Sequence, residues 1–149
     1  MIILSPDFKD FLRLLNEHKV EYLLVGGYAV ALHGYVRYTG DMDIWVLTSP
    51  VNAGKVVQAL KEFGAPQAEQ FFDVLLLEKR VIGMGLPPYK IEVVTSIDGV
   101  TFEKCYANRL LVDIEGVTVA YLSLKDLREN KKASGRYKDL NDLQHLPEE

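Results

Sequence analysis

Two aspartates, Asp41 and Asp43, stand one residue apart at the start of an apolar run that ends near Leu47. In a β-strand, alternate side chains point to the same face, so the two carboxylates would lie on one side of the strand, about 7 Å apart at their Cα atoms. Like charges at this separation repel each other, and a proton or a cation between them would relieve the repulsion. Oxygen-only ligands favour magnesium or manganese over zinc or copper. The pair therefore predicts a divalent-cation site, although a solvent-exposed strand end would explain the same pattern.

A glycine pair, Gly26-Gly27, follows the short apolar run 22–25. Glycines between a strand and a helix let the backbone approach a ligand closely and direct amide N–H groups towards it. The start of the next helix would also favour negative charge. The pair is a candidate phosphate-binding turn, although such a pair also occurs in ordinary turns.

A third carboxylate would complete a site of this kind. Glu92 lies in an apolar, β-rich run in which Ile91 and Val93 share one face, so that Glu92 lies on the other. This placement is compatible with a role at the site and also with simple exposure to solvent. Asp73 is the second choice for the third carboxylate, and Asp98 is a weaker one.

Basic residues are concentrated between Lys125 and Lys138. This stretch carries a net charge of +4, whereas the rest of the chain carries −8. A short positive strip on an acidic protein suits one small anion, such as a triphosphate, better than a long nucleic acid. A solvent-exposed helix face is the alternative interpretation.

Strand and helix signals interleave along the chain and predict an α/β (α+β) fold, with a mixed central β-sheet flanked by helices. We find no internal repeat or linker, so one domain over residues 1–149 is expected. Strands are predicted at 22–25, 42–47, 72–77, 80–84, 89–95, 109–114 and 117–121, and helices after Pro6 and at 28–33, 50–63, 102–107, 123–132 and 137–146.

The single cysteine, Cys105, allows no internal disulfide and is typical of a reducing compartment. No apolar run approaches the roughly 20 residues that a membrane-spanning helix needs. The first residues do not resemble a signal peptide, because an acidic residue follows too soon. We therefore expect a cytoplasmic protein without a membrane partner.

Two separate patterns resemble a known family. The first is Arg-x-Thr-x-Asp-x-Asp at residues 37–43, with thirteen residues between the glycine pair and the first aspartate. The second is a lysine at 131 followed by Gly-Arg-x-Lys-Asp at 135–139. Together they resemble the nucleotidyltransferase superfamily, and within it the branch of AbiEii-type toxin nucleotidyltransferases. The wider superfamily often has Gly-Ser where this chain has Gly26-Gly27, which leaves the positioning of phosphate to backbone amides.

The resemblance implies transfer of a nucleoside monophosphate from a nucleoside triphosphate to an acceptor hydroxyl, with Mg²⁺ or Mn²⁺ as cofactor. It also implies an acceptor such as RNA or tRNA, a protein or a small molecule. The chain would be the toxin of a toxin–antitoxin pair, with an antitoxin partner or a second copy bound to it.

The resemblance also assigns roles to individual residues. Arg37 would contact phosphate or the metal-site carboxylates, and Asp139 would orient Arg136 or Lys138. The implied catalytic and metal-binding residues are Asp41, Asp43 and Glu92, and the implied nucleotide-binding residues are Gly26, Gly27, Arg37, Thr39, Lys131, Arg136, Lys138 and Asp139.

Two other functions remain open from the sequence. A catalytically silent module of the same fold would bind nucleotide or metal and regulate a partner. A generic metal-binding α/β domain would explain the acidic residues but not the segment 131–139.

Overall fold

The computed structural model describes residues 2–148, so Met1 and Glu149 of the predicted domain lie outside the described residues. A six-stranded mixed sheet forms the centre, in the order β3-β4-β2-β1-β6-β5. The strands are β1 (Tyr22–Val25), β2 (Asp41–Val46), β3 (Val81–Met84), β4 (Lys90–Val94), β5 (Leu110–Ile114) and β6 (Val117–Tyr121).

Serine caps and terminal glycines mark the ends of several helices. The Oγ atoms of Ser5, Ser49 and Ser123 accept backbone N–H groups at the starts of three helices, and Gly64 and Gly135 end two helices in the left-handed conformation. The helices are α1 (Pro6–Glu17), α2 (Gly26–Leu32), α3 (Pro50–Phe63), α4 (Phe102–Ala107), α5 (Leu124–Ser134) and α6 (Tyr137–His145).

The order of the strands places β2 between β1 and β4. β2 runs antiparallel to β1 and parallel to β4, and β1 in turn runs parallel to β6. The apolar faces of these strands pack with α1 and α3 into a core in which Phe8, Phe11 and Trp45 are fully or almost fully buried. The predicted mixed sheet with flanking helices is therefore confirmed.

The predicted strand at 72–77 is wrong. The chain there forms two short 3-10 helices, Ala68–Phe71 and Val74–Leu76, and Leu75 is buried against the core. A continuous apolar run of this length does not distinguish a strand from a short helical segment by its periodicity. β3 already occupies the edge next to β4, so the sheet offers this segment no partner there.

A smaller correction concerns α2, which begins at Gly26 and not at residue 28. The glycine pair is thus the first turn of the helix itself. Among residues 2–148, no helix combines the length and apolar character required to cross a lipid bilayer.

Candidate active site

Asp41 and Asp43 lie on the same face of β2, on either side of the fully buried Met42. On the neighbouring parallel strand β4, Glu92 is in register with Asp43. All three carboxyl groups line one cavity of about 530 Å³. We call Asp41, Asp43 and Glu92 the acidic cluster. The structure thus places Glu92 at the site and not on a separate solvent-exposed face.

Gly26 is required by the position of Asp43. Its backbone has a φ of 66°, which favours glycine, and a Cβ atom there would lie 3.1 Å from the Asp43 Cγ. Gly27 is constrained by Thr39, because a Cβ atom on Gly27 would lie 2.8 Å from the Thr39 Cβ. Thr39 Oγ1 donates to the carbonyl of Asp41 at 3.2 Å. The glycine pair therefore allows the segment that leads into β2 to pack closely against the start of α2.

A second cavity of about 300 Å³ adjoins the first and shares several of its residues. The larger cavity extends towards Ser96, Asp98 and Ser134, whereas the smaller one extends over the glycine pair. The residues that line both are Gly26, Asp41, Asp43, Lys131, Arg136 and Lys138.

The acidic cluster disfavours the charged form of its most buried member. Burial, followed by the charges of Glu92 and Asp41, raises the pKa of Asp43 to about 6, while Lys138 and Lys131 oppose the shift. Asp43 is therefore a carboxylate whose charge is not fully compensated by its neighbours. A cation bound beside it would remove that penalty.

The basic residues that line the cavities are already paired in large part. Arg37 donates to both carboxylate oxygens of Asp142, from Nε at 2.7 Å and from Nη2 at 2.9 Å. Lys131 Nζ lies 3.1 Å from Asp142 Oδ2 and 3.1 Å from Asp139 Oδ1. Arg136 Nε donates to Asp139 Oδ2 at 2.8 Å. We call these five residues the ion network.

The carboxylates of the ion network show the opposite pKa shift from Asp43. Burial alone would raise the pKa of Asp139, but hydrogen bonds from Arg136 and Lys131 more than offset this and lower it. Asp142 behaves in the same way, with hydrogen bonds from Arg37 and Lys131. Both are held as anions by their cationic partners.

Known protein families and solved structures include relatives of this chain. The sequence profile of the family described as "Nucleotidyltransferase of unknown function (DUF6036)" matches residues 7–146. The chain belongs to this nucleotidyltransferase family. No protein with a curated description matches its sequence significantly.

Solved structures show the same fold as this DUF6036 member. A candidate nucleotidyltransferase (TM1012) from Thermotoga maritima is similar with a TM-score of 0.64 and 16% identity, over 96% of this chain and 94% of that one. An antigenic nucleotidyltransferase-like protein from Paracoccidioides brasiliensis gives a TM-score of 0.53 and 16% identity, over 95% of this chain and 76% of that one.

The donor atoms of the acidic cluster suit a hard divalent cation. Asp41 and Asp43 offer only oxygen, on one face of one strand, and Asp43 lacks a compensating charge. Glu92 Oε1 instead forms an ion pair with Lys90 Nζ at 3.2 Å. Within residues 2–148, no group of three or more His, Cys, Asp or Glu side chains is arranged to hold a metal ion. Glu92 would have to leave Lys90 to join the two aspartates.

The DUF6036 structure separates the predicted nucleotide-binding residues into two groups. Arg37 and Lys131 line the smaller cavity, and each is already paired with Asp142, because a cation with little exposure to solvent requires an anionic partner. Lys138 is exposed and has no ion pair among the described residues. The Arg136 side chain is 67% exposed although it contacts Asp139. These last two residues are the cations that remain open to a ligand.

The alternative third carboxylates lie in different places. Asp73 is exposed beside a 3-10 helix and lines neither cavity. Asp98 lines the larger cavity and accepts from Ser134 Oγ at 3.2 Å. Asp142 was given no role from the sequence, although it follows Asp139 by three residues and thus shares its helix face.

Proposed function

We propose that the chain transfers a nucleoside monophosphate from a nucleoside triphosphate to an acceptor hydroxyl, with a divalent cation at the acidic cluster. The observation that supports this best is the register of Asp43 with Glu92 on adjacent strands, in a cavity that also contains Lys138 and Arg136. Membership in the nucleotidyltransferase family agrees with it.

In this proposal Asp41 and Asp43 would hold Mg²⁺ or Mn²⁺, and Glu92 would join them once it leaves Lys90. The cation would neutralise charge that develops on the phosphate oxygens. Lys138 and Arg136 would contact the β- and γ-phosphates, since phosphoryl transfer depends mainly on positioning and on electrostatic stabilisation.

The chemical step would be a single displacement at the α-phosphorus. A bond from the acceptor oxygen to this phosphorus would form while the bond to the leaving pyrophosphate breaks. The acceptor proton would pass to Glu92, the member of the acidic cluster nearest in register to Asp43. Asp43 would have to be ionised throughout, which a bound cation favours because it lowers the pKa of the carboxyl.

The test is transfer of label from α-labelled nucleoside triphosphates, with mass spectrometry to identify any adduct on added RNA, protein or small-molecule hydroxyls. We expect Asp43→Asn to lose transfer by about 1,000-fold, because several kcal/mol of charge stabilisation would be lost. Asp73→Asn is the matched control, since Asp73 is an exposed aspartate outside both cavities. Equal labelling by Asp43→Asn and the control would refute the assignment.

A catalytically silent, nucleotide-binding regulatory module is the second candidate. The Glu92–Lys90 ion pair favours it, because it keeps the third carboxylate occupied. Lys90→Ala distinguishes the two functions: faster transfer is expected from an enzyme, and binding without turnover from a silent module. The toxin role, the antitoxin partner or second copy, and RNA or protein as acceptor stay predictions from the sequence resemblance.

A further inference from the structure

α6 is joined to the segment between α2 and β2 by contacts that are remote in sequence. Asp142 accepts two hydrogen bonds from Arg37, and Asn141 Nδ2 donates to Tyr35 Oη at 3.2 Å. The rings of Tyr35 and His145 are stacked, with centroids 4.3 Å apart. This segment leads directly into the acidic cluster, and α6 contains Lys138. α6 thus connects the segment before Asp41 with Lys138, which lines both cavities.

Arg37 is confined on several sides. A Cβ atom on Gly27 would lie 3.3 Å from Arg37 Nη1, and the same Nη1 donates to the carbonyl of Tyr38 at 3.2 Å. Asp142, whose side chain is 1% exposed, binds the rest of the guanidinium and also Lys131. The bidentate geometry fixes the plane of the Arg37 side chain as well as its distance.

We propose that Asp142 is a positioning residue for the reaction proposed above, on which this inference rests. Asp142 lines neither cavity, so it does not contact the substrate. It binds Arg37, in the segment before Asp41, and Lys131, in α5. Asp142 thereby holds the segment before Asp41 at a set distance from Lys138. Arg37 and Lys131, which also line the smaller cavity, then align the site through their contacts with Asp142.

Asp142→Asn tests this inference because it keeps the shape of the side chain and removes its charge. We expect kcat to fall by about 10- to 100-fold, since small misplacements of reacting groups have effects of this size. KM for the nucleoside triphosphate should not rise, because Arg37 and Lys131 would lose part of their compensating negative charge and attract phosphate at least as well. A substrate-binding role would give the reverse pattern.

The matched control is Asp113→Asn. Asp113 is an exposed aspartate that caps Gly116 N at 2.9 Å in the β5–β6 hairpin, far along the sheet from the acidic cluster. Rates are expressed per binding site, titrated with a non-hydrolysable triphosphate analogue, so that a smaller folded fraction does not lower kcat. The double variant Arg37→Gln/Asp142→Asn should lose less activity than the product of the two single losses, because Asp142 acts in part through Arg37.

An unchanged kcat per binding site, a higher KM at constant kcat, or additive losses in the double variant would each overturn the inference. If the wild-type protein transfers to no acceptor, the proposed function fails separately, and hydrogen exchange then decides. Loss of amide protection over residues 36–42 in Asp142→Asn, but not in Asp113→Asn, supports the positioning role. Equal protection in the two variants contradicts it.

Discussion

The acidic cluster and the cations of the ion network border the same pair of cavities, but the two groups compensate their charges differently. In the acidic cluster, carboxylates lie beside carboxylates, and within residues 2–148 Glu92 is the one member with an ion pair, which it forms with Lys90. In the ion network, cations and anions alternate from Arg37 to Arg136, and the aspartates between them are almost completely buried.

This difference shows in the pKa values of the aspartates. The pKa of Asp43 is raised to about 6, whereas hydrogen bonds from cationic partners lower the pKa of Asp139 and Asp142. Uncompensated charge in a cavity is typical of a site that awaits a ligand. Paired, buried charge is typical of a structural contact, because removal of one member leaves the other without a compensating charge. We therefore expect variants of the ion network to affect mainly stability and alignment, and variants of the cluster to affect mainly ligand binding and chemistry.

The largest expected effect on stability comes from the ion network. Asp139→Ala should lower the free energy of unfolding by about 3 kcal/mol, because Lys131 would remain buried with only Asp142 beside it. Urea denaturation measures the change. Asp73→Ala is the exposed control and should change stability by no more than about 0.5 kcal/mol. A loss below 1 kcal/mol in Asp139→Ala would remove the contrast between the two regions.

A smaller effect is expected when the exposed cation Lys138 is removed. Lys138→Ala should weaken binding of a triphosphate analogue about 10-fold, since one charge-assisted contact would be lost. The stability of the protein should not change, because Lys138 has no ion pair among the described residues. Lys132→Ala is the control, as Lys132 is exposed and lines neither cavity. An equal loss in both variants would indicate a general electrostatic attraction and not a specific contact.

The remaining effect concerns Asp43 in the absence of divalent cations. Its folded-state pKa is raised to about 6, so the stability associated with its protonated form is present below pH 4 and is lost as pH rises through about 6. Asp43→Asn should therefore be more stable than the wild type by about 3 kcal/mol at pH 7, and the gap should close at pH 4. Thermal unfolding across this pH range measures it.

Addition of Mg²⁺ gives a second test of the role of Asp43. Mg²⁺ should stabilise the wild type and leave Asp43→Asn unchanged, with a monovalent salt of equal ionic strength as the control. Equal stabilisation of the two proteins would place the cation elsewhere.

Much of the fold was predictable because its signals are local. Serine caps, the terminal glycines and the period of two in β2 depend on neighbouring residues, and each agrees with the structure. The run 72–77 was not predictable in this way, because every apolar side chain in it suits either a strand or a short helix. The burial of Leu75 in the core, which accompanies the 3-10 conformation, is a tertiary property.

The sequence by itself determined that Asp41 and Asp43 share a face, since that follows from the geometry of one strand. It also placed Glu92 in a strand, but only the pairing of β2 with β4 brought it opposite Asp43. The partner of Arg37 was decided by tertiary structure alone, because Asp142 lies 105 residues away. An ion pair depends on the distance and burial of its two groups, and packing sets both only after the chain has folded.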